Sequence, residues 1–297
     1  MTKFAQQLEK VRDESGFIAA LDQSGGSTPK ALGLYGLKED QWSSEDEMYD
    51  LVHAMRTRMV SSDPFNGERV MGAILFEGTL NREINGKGFA DYLWSEKNVV
   101  PFVKVDKGLA DEANGIQLLN DIPNIIDFLD KAREKGVFGT KMRSVIKQAN
   151  EDSIKRLVDQ QFSIGQQIVA KGLVPILEPE VDIHCPEKQK AEDILRTHLL
   201  KSLDGLSDDE LVMLKLTLPE TGDHYKECVE HKNILKVVAL SGGYDREEAN
   251  RRLAQNGGMV ASFSRALIEG LQAQMSDKEF ENKLDDSIQS IYTASAA

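Results

Sequence analysis

The chain has only two cysteines, Cys185 and Cys228, among its 297 residues, and they stand at no recognised metal-binding or redox spacing. Two isolated thiols exclude a disulfide framework and favour a reducing compartment. No apolar run approaches the roughly 18 residues that a membrane span needs. The first ten residues also lack the apolar segment of a secretory signal peptide. We therefore expect a cytoplasmic protein without a membrane partner.

Positive charge is also in short supply. Lysine and arginine number 36 against 49 aspartates and glutamates, which gives a net charge of −13. So acidic a protein is not expected to bind nucleic acid or an anionic membrane surface. If the substrate is an anion, its site must contain a local cluster of cations. The five histidines and two cysteines show no metal-ligand spacing, so we expect neither a metal nor another cofactor.

Short apolar runs alternate with polar segments of helical pattern along the whole chain. The eight runs are Phe17–Asp22, Val70–Phe76, Val99–Asp106, Val137–Val145, Leu173–Val181, Val212–Leu218, Val237–Ser241 and Met259–Phe263. Four intervening segments resemble helix-capping boxes, and they begin at Ser44, Ser207, Asp245 and Ser276. This alternation predicts an α/β fold, a single (β/α)8 barrel domain over residues 1–297 with an N-terminal helix and a C-terminal helical tail. An open doubly wound sheet would fit a smaller number of strands better.

Lys215 lies in the middle of the sixth run, where Thr217 is the only other polar residue. A lysine is almost never placed inside such a strand without a reason. Burial disfavours the charged form of an amine, so Lys215 is a candidate nucleophile that forms a Schiff base with a carbonyl substrate. The alternative for this strand alone is a lysine that snorkels to the strand end or pairs with a buried carboxylate.

Polar side chains concentrate at the C-terminal ends of the predicted strands, where barrel active sites are built. They belong to Asp22, Lys104, Asp106, Lys141, Arg143, Glu178, Glu180, Lys215, Ser241 and, just beyond the last strand, Arg265. With Lys30 and Lys107 nearby, cations are in excess, which suits an anionic substrate. The alternative is a network of paired charges that plugs the barrel.

Two glycine pairs follow predicted strands. Gly242 and Gly243 come after the seventh strand and before the capped helix at Asp245, which predicts a phosphate cradle. Gly25 and Gly26, with Ser27, follow the first strand. That segment is either a second anion-binding loop or a flexible connection.

Several stretches, in order over most of the chain, resemble one known family. They are Ile18–Ser24, Lys104–Gly108, Lys141–Arg143, Val174–Glu180, Lys215, Leu240–Gly243 and Ser264–Leu267. The most specific are Lys-Val-Asp-Lys-Gly, Val-Pro-Ile-Leu-Glu-Pro-Glu and Leu-Ser-Gly-Gly. Through them the chain resembles the class I fructose-1,6-bisphosphate aldolases, which are metal-free and lysine-dependent. The catalytic tyrosine near the end of the animal members is not carried over to Tyr292.

The resemblance implies a glycolytic lyase that reversibly cleaves fructose 1,6-bisphosphate to dihydroxyacetone phosphate and glyceraldehyde 3-phosphate. It implies that Lys215 forms the Schiff base, that Glu178 transfers protons and that Asp22 lies near the C4 hydroxyl. Lys141 would orient the substrate and favour the neutral form of Lys215. The implied substrate-binding residues are Ser27, Lys30, Lys104, Arg143, Glu180, Ser241, Gly242, Gly243 and Arg265.

Two other interpretations of the same residues stay open. One is a different Schiff-base sugar-phosphate enzyme, such as a transaldolase or a deoxyribose-phosphate aldolase. The other is a barrel that binds a sugar phosphate without catalysis. The sequence assigns no oligomeric state.

Overall fold

Eight parallel strands form a barrel in the computed structural model, which describes residues 1–297 apart from the side chain of Ser27. The strands are β1 (Phe17–Ala20), β2 (Val70–Leu75), β3 (Val100–Lys104), β4 (Gly139–Ile146), β5 (Val174–Val181), β6 (Val212–Thr217), β7 (Ile234–Leu240) and β8 (Met259–Ala261). They are hydrogen-bonded in sequence order, and Ala20 N donates to Phe263 O at 3.2 Å to bring the first strand against the last. The predicted barrel is confirmed, although β7 begins at Ile234 rather than at Val237.

Helices cover the outside of the barrel. They are α1 (Lys3–Asp13), α2 (Thr28–Leu34), α3 (Glu45–Ser61), α4 (Glu77–Leu80), α5 (Phe89–Lys97), α6 (Ile125–Glu134), α7 (Glu151–Ala170), α8 (Lys188–Leu203), α9 (Lys226–Val229), α10 (Arg246–Leu253), α11 (Arg265–Ile268) and α12 (Asp277–Ser295). Short pairings add a hairpin, Glu83–Ile84 with Lys87–Gly88, and a strand, Ile116–Gln117, antiparallel to β4. Across the described residues, every helix is either too short or too polar for a membrane span.

Three of the four predicted helix starts are capped as expected. The side chains of Ser44, Asp245 and Ser276 each accept a hydrogen bond from the backbone N–H three residues later. The prediction at Ser207 is wrong. Its backbone N–H donates to Glu210 Oε2 at 2.8 Å in a turn, because β6 begins at Val212 and leaves no room for a helix.

The strands bury both of their faces, which is why they read as continuous apolar runs. Inside the barrel, Phe102, Ile176 and Val238 belong to one buried apolar cluster. Leu177 and Leu214 lie on the opposite strand faces and join the larger core between the strands and the helices. The interior cluster forms a packed floor beneath the charged residues at the C-terminal ends of the strands.

Candidate active site

A cavity of about 600 Å³ opens at the C-terminal ends of the strands. Of the residues predicted for the site, its wall contains Asp22, Lys30, Lys104, Lys141, Arg143, Glu178, Glu180, Lys215, Ser241, Gly242 and Arg265. Gly243 stands just outside the wall, where a Cβ atom would lie 3.4 Å from Arg265 Nη2. The side chain of Ser27 lies outside the described residues. Strand order therefore brings nearly all of the predicted side chains to one place.

Four buried or nearly buried side chains form a row of alternating charge at the bottom of the cavity. Lys215 Nζ lies 3.1 Å from Glu178 Oε1, and Glu178 Oε2 lies 3.1 Å from Lys141 Nζ. Lys141 Nζ lies 2.6 Å from Asp22 Oδ2. Lys215 is thus paired with a buried carboxylate, one of the outcomes that the sequence left open. The same carboxylate is close enough to exchange protons with a group attached to Lys215.

This row sets the charge state of its members. Burial alone would raise the pKa of Asp22, but Lys141, Lys215 and Lys104 outweigh burial and lower that pKa to about 2. Burial likewise opposes the charge of Glu178, yet Lys141 and Lys215 lower its pKa. Burial works against the Lys141 ammonium too, while Asp22, Glu178 and Asp106 raise its pKa. Both carboxylates are therefore ionised at neutral pH, and Lys141 is a fixed cation between them.

Asp106 is a further carboxylate of the cavity, which the sequence placed at a strand end but left out of the site. Its Oδ1 lies 3.1 Å from Lys104 Nζ, and its Oδ2 lies 3.8 Å from Lys141 Nζ. Its Oδ2 also accepts a hydrogen bond from the backbone N–H of Arg143 at 3.3 Å. The sequence does indicate this position for Asp106, because Asp106 follows Lys104 by two residues and shares its strand face.

Two further predicted cations, Arg143 and Lys107, also have carboxylate partners. Arg143 binds Glu180 through two hydrogen bonds, Nε to Oε2 at 2.5 Å and Nη2 to Oε1 at 3.1 Å. Although burial opposes its charge, Glu180 raises the pKa of Arg143. Lys107 is not in the cavity wall. It pairs with Glu77 at 2.7 Å and lies 5.4 Å from the ring centre of Phe128, so it is not one of the cations that line the cavity.

The glycines after β7 have backbone conformations that suit glycine, and the cradle predicted there stays a prediction. Gly242 and Gly243 have φ angles of 61° and 135°, which favour glycine. A Cβ atom at Gly242 would lie 2.7 Å from Ile183 Cγ2, so the backbone there approaches its neighbour closely. Among the described residues, neither Lys30 nor Arg265 forms an ion pair with a carboxylate. Two cations at the mouth thus remain for an anion.

A family model described as fructose-bisphosphate aldolase class-I matches residues 9–242. The chain belongs to the class I fructose-bisphosphate aldolases. It is 57% identical to the Synechocystis sp. protein named fructose-bisphosphate aldolase class 1, over 98% of this chain and 97% of that relative. It is 56% identical to the protein of the same name from Porphyromonas gingivalis, over 98% of each.

A solved structure has the same fold. It is the fructose-bisphosphate aldolase from Plasmodium falciparum in complex with TRAP and a small-molecule inhibitor, with a TM-score of 0.78 at 19% identity, covering 99% of this chain and 94% of that chain. In this chain, Tyr292 lies on α12 and packs against the core outside the cavity wall. Further wall residues that sequence reasoning did not assign include Gln23, Ser24, Ser262 and Ser264.

Proposed function

We propose that this chain catalyses the reversible cleavage of fructose 1,6-bisphosphate to dihydroxyacetone phosphate and glyceraldehyde 3-phosphate, without a metal. The observation that carries the proposal is the position of Lys215, a buried amine 3.1 Å from Glu178 Oε1 at the bottom of the cavity. Membership of the class I family supports it. A cytoplasmic location without nucleic-acid or membrane partners is supported by the net charge of −13 and the two isolated cysteines.

The charge balance of the cavity favours an anionic substrate. Four carboxylates face four cations: Asp22, Asp106, Glu178 and Glu180 against Lys104, Lys141, Arg143 and Lys215. Lys30 and Arg265 remain as surplus positive charge at the mouth. A sugar bisphosphate carries negative charge at both ends, so Arg265 with the Ser241–Gly243 cradle would hold one phosphate. Lys30 would approach the other.

The reaction begins when the neutral amine of Lys215 attacks the C2 ketone. The Glu178 carboxylate takes a proton from the attacking nitrogen and then gives it to the carbinolamine hydroxyl, which leaves as water. Once Lys215 is neutral, one of the cations that lower the pKa of Glu178 is gone, so Glu178 becomes more basic as the chemistry starts. Asp22, with its pKa of about 2, is a weak base, and we assign it to hold the C4 hydroxyl.

The iminium at C2 then accepts the electron pair of the breaking C3–C4 bond. The C4 hydroxyl loses its proton to Glu178 as C4 becomes the aldehyde of glyceraldehyde 3-phosphate, which leaves. Glu178 then gives this proton to C3 of the enamine, which restores the iminium, and water hydrolyses it to release dihydroxyacetone phosphate and the free amine of Lys215. Lys141 stays positive between Asp22 and Glu178 and holds both in place.

The proposal is tested by measuring the rate of fructose 1,6-bisphosphate cleavage in the presence of EDTA. The purified wild type is compared with Lys215→Met and with the control variant Lys236→Met. Lys236 is also a barrel-strand lysine, but it lies near the start of β7, at the end of the barrel away from the cavity, and donates to Arg12 O. We expect Lys215→Met to lose about a thousandfold or more in kcat and Lys236→Met to stay within about twofold. Full activity in Lys215→Met, or faster cleavage of deoxyribose 5-phosphate by the wild type, would contradict the proposal.

A further inference from the structure

A side-chain bridge crosses the seam between the first and the last strand of the barrel. In the described part of the chain, one backbone hydrogen bond, from Ala20 N to Phe263 O, joins these two strand ends. Just above it, Gln23 Nε2 donates a hydrogen bond to Ser264 Oγ. Both side chains are partly buried in the cavity wall. The bridge therefore ties together two loops that the sheet itself connects weakly.

The bridge is anchored from behind by Arg56 on α3. Arg56 Nη2 donates to the backbone oxygen of Gln23 at 2.6 Å and lies 3.5 Å from Gln23 Oε1, while Nη1 donates to Thr79 Oγ1 at 2.6 Å. The guanidinium lies 4.9 Å from the ring centre of Phe76, and only 1% of the residue is exposed. Burial lowers the pKa of Arg56 to about 9, so the side chain is still charged at neutral pH.

Arg56 has no carboxylate partner among the described residues. Its hydrogen bonds go to neutral oxygens, while the charge of Asp22 acts on it without an ion pair, and a buried cation in this situation depends strongly on each hydrogen bond. Charged donors also form stronger hydrogen bonds than neutral donors. The backbone of Gln23 is consequently held more firmly than an ordinary loop residue. Burying a charged guanidinium is energetically unfavourable. Its presence beside the cavity wall therefore indicates that the position of Gln23 is important for the site.

The neighbours of the bridge explain why it matters. Gln23 directly follows Asp22, and Ser264 directly precedes Arg265. We propose that Gln23 is a positioning residue that fixes Asp22 and Arg265 relative to each other, with Arg56 as its anchor. The proposal rests on the proposed function, in which Asp22 holds the C4 hydroxyl and Arg265 a phosphate. One ligand spans both groups, so a change in their separation weakens its alignment with Lys215.

The test replaces Gln23 by methionine, which keeps the length of the side chain and removes its hydrogen bonds. Since a small misplacement of a reacting group costs on the order of a hundredfold in rate, we expect Gln23→Met to lose about tenfold to a hundredfold in kcat/KM for fructose 1,6-bisphosphate. A higher KM and a lower kcat both contribute. Gln23→Glu should recover most of the loss, because its carboxylate accepts from both Arg56 and the Ser264 hydroxyl.

Gln160→Met is the matched control. Gln160 is also partly buried and also makes two hydrogen bonds, with Leu119 N at 2.9 Å and Leu119 O at 3.0 Å, but it is not in the cavity wall. We expect its kcat and KM to equal those of the wild type, with a melting temperature lowered about as much as in Gln23→Met. A structural role alone would change only the melting temperature.

A double-mutant cycle shows whether Gln23 acts through Ser264. If it does, Gln23→Met combined with Ser264→Ala loses no more activity than the more damaging single variant. Additive losses, or unchanged kinetics in Gln23→Met beside an active wild type, would overturn the positioning role and leave the proposed function standing. A wild type that does not cleave fructose 1,6-bisphosphate would instead overturn the proposed function.

Discussion

Lys141 is the residue that holds the charges of the cavity together. It lies within 4 Å of three buried or nearly buried carboxylates, at 2.6 Å from Asp22, 3.1 Å from Glu178 and 3.8 Å from Asp106. The sequence places Lys141 and Arg143 on one face of a predicted barrel strand, because side chains alternate along a strand with a period of two. It could not show which carboxylates meet it, because those come from other strands.

Lys141→Met should therefore lower the stability of the fold far more than the loss of a surface ion pair does. Breaking a buried pair leaves carboxylates without compensation, so we expect the free energy of unfolding at neutral pH to fall by about 3–5 kcal/mol. The control is Lys171→Met, which removes a surface pair with Asp130 at 2.8 Å and should cost about 0–1 kcal/mol. Urea denaturation measures both, and equal losses would contradict the central position of Lys141.

The same variant should change the response to acid. In the folded wild type the pKa of Asp22 is about 2, below its ordinary value of 3.8, so Asp22 contributes stability that is present above about pH 4 and is lost as the pH falls towards 2. Lys141→Met removes the cation nearest to Asp22, so its unfolding free energy should depend less steeply on pH in that window. An unchanged slope would show that other groups dominate acid unfolding.

At the scale of elements, the strands were predictable and their connections were not. Each strand is buried on both faces, so eight apolar runs were enough to indicate eight strands. The period of two along a strand also placed Lys104 on the same face as Asp106. The pattern at Ser207 predicts a helix where the structure has a turn, because a capping pattern does not show how soon the next strand begins. The hydrogen bond between Gln23 and Ser264 cannot be predicted from the sequence, since it joins residues 241 positions apart.

A substitution in the loop after β7 tests whether that loop binds a phosphate. Gly242→Ala forces a left-handed backbone on a residue with a side chain and drives its Cβ to 2.7 Å from Ile183 Cγ2. We expect about 1–2 kcal/mol lower stability and a KM for the bisphosphate raised about tenfold or more, as the cradle shifts away from the phosphate. In the control, Gly257→Ala, the new Cβ would be 3.6 Å from Asp223 Oδ1, an ordinary contact. An unchanged KM in Gly242→Ala would argue against a phosphate at this loop.

The whole molecule has a net charge of −13, whereas the mouth of its cavity is positively charged. This contrast is predictable from the sequence, because cations concentrate at the strand ends of an acidic chain. It did not separate the cations that carboxylates neutralise from those that stay available. The structure makes that distinction, since Lys107 pairs with Glu77 whereas Lys30 and Arg265 have no carboxylate partner among the described residues.

Salt should consequently weaken substrate binding through a small number of residues. The Debye length falls from about 30 Å at 0.01 M to about 3 Å at 1 M salt, so we expect the KM for fructose 1,6-bisphosphate to rise over that range. The plot of log KM against log salt concentration should be less steep for Lys30→Met and unchanged for Lys107→Met. Equal slopes for Lys30→Met and the wild type would show that Lys30 does not interact with the anion.

The central claim is that Lys215 becomes covalently bonded to the substrate carbon. Its most direct test is borohydride reduction of the wild type with dihydroxyacetone phosphate, followed by intact-mass measurement and peptide mapping. We expect one adduct per chain on Lys215, equal in mass to the ligand less one oxygen atom, and no adduct in Lys215→Met. A wild type that turns over substrate but gains no adduct, or gains it on another lysine, would contradict covalent catalysis by Lys215.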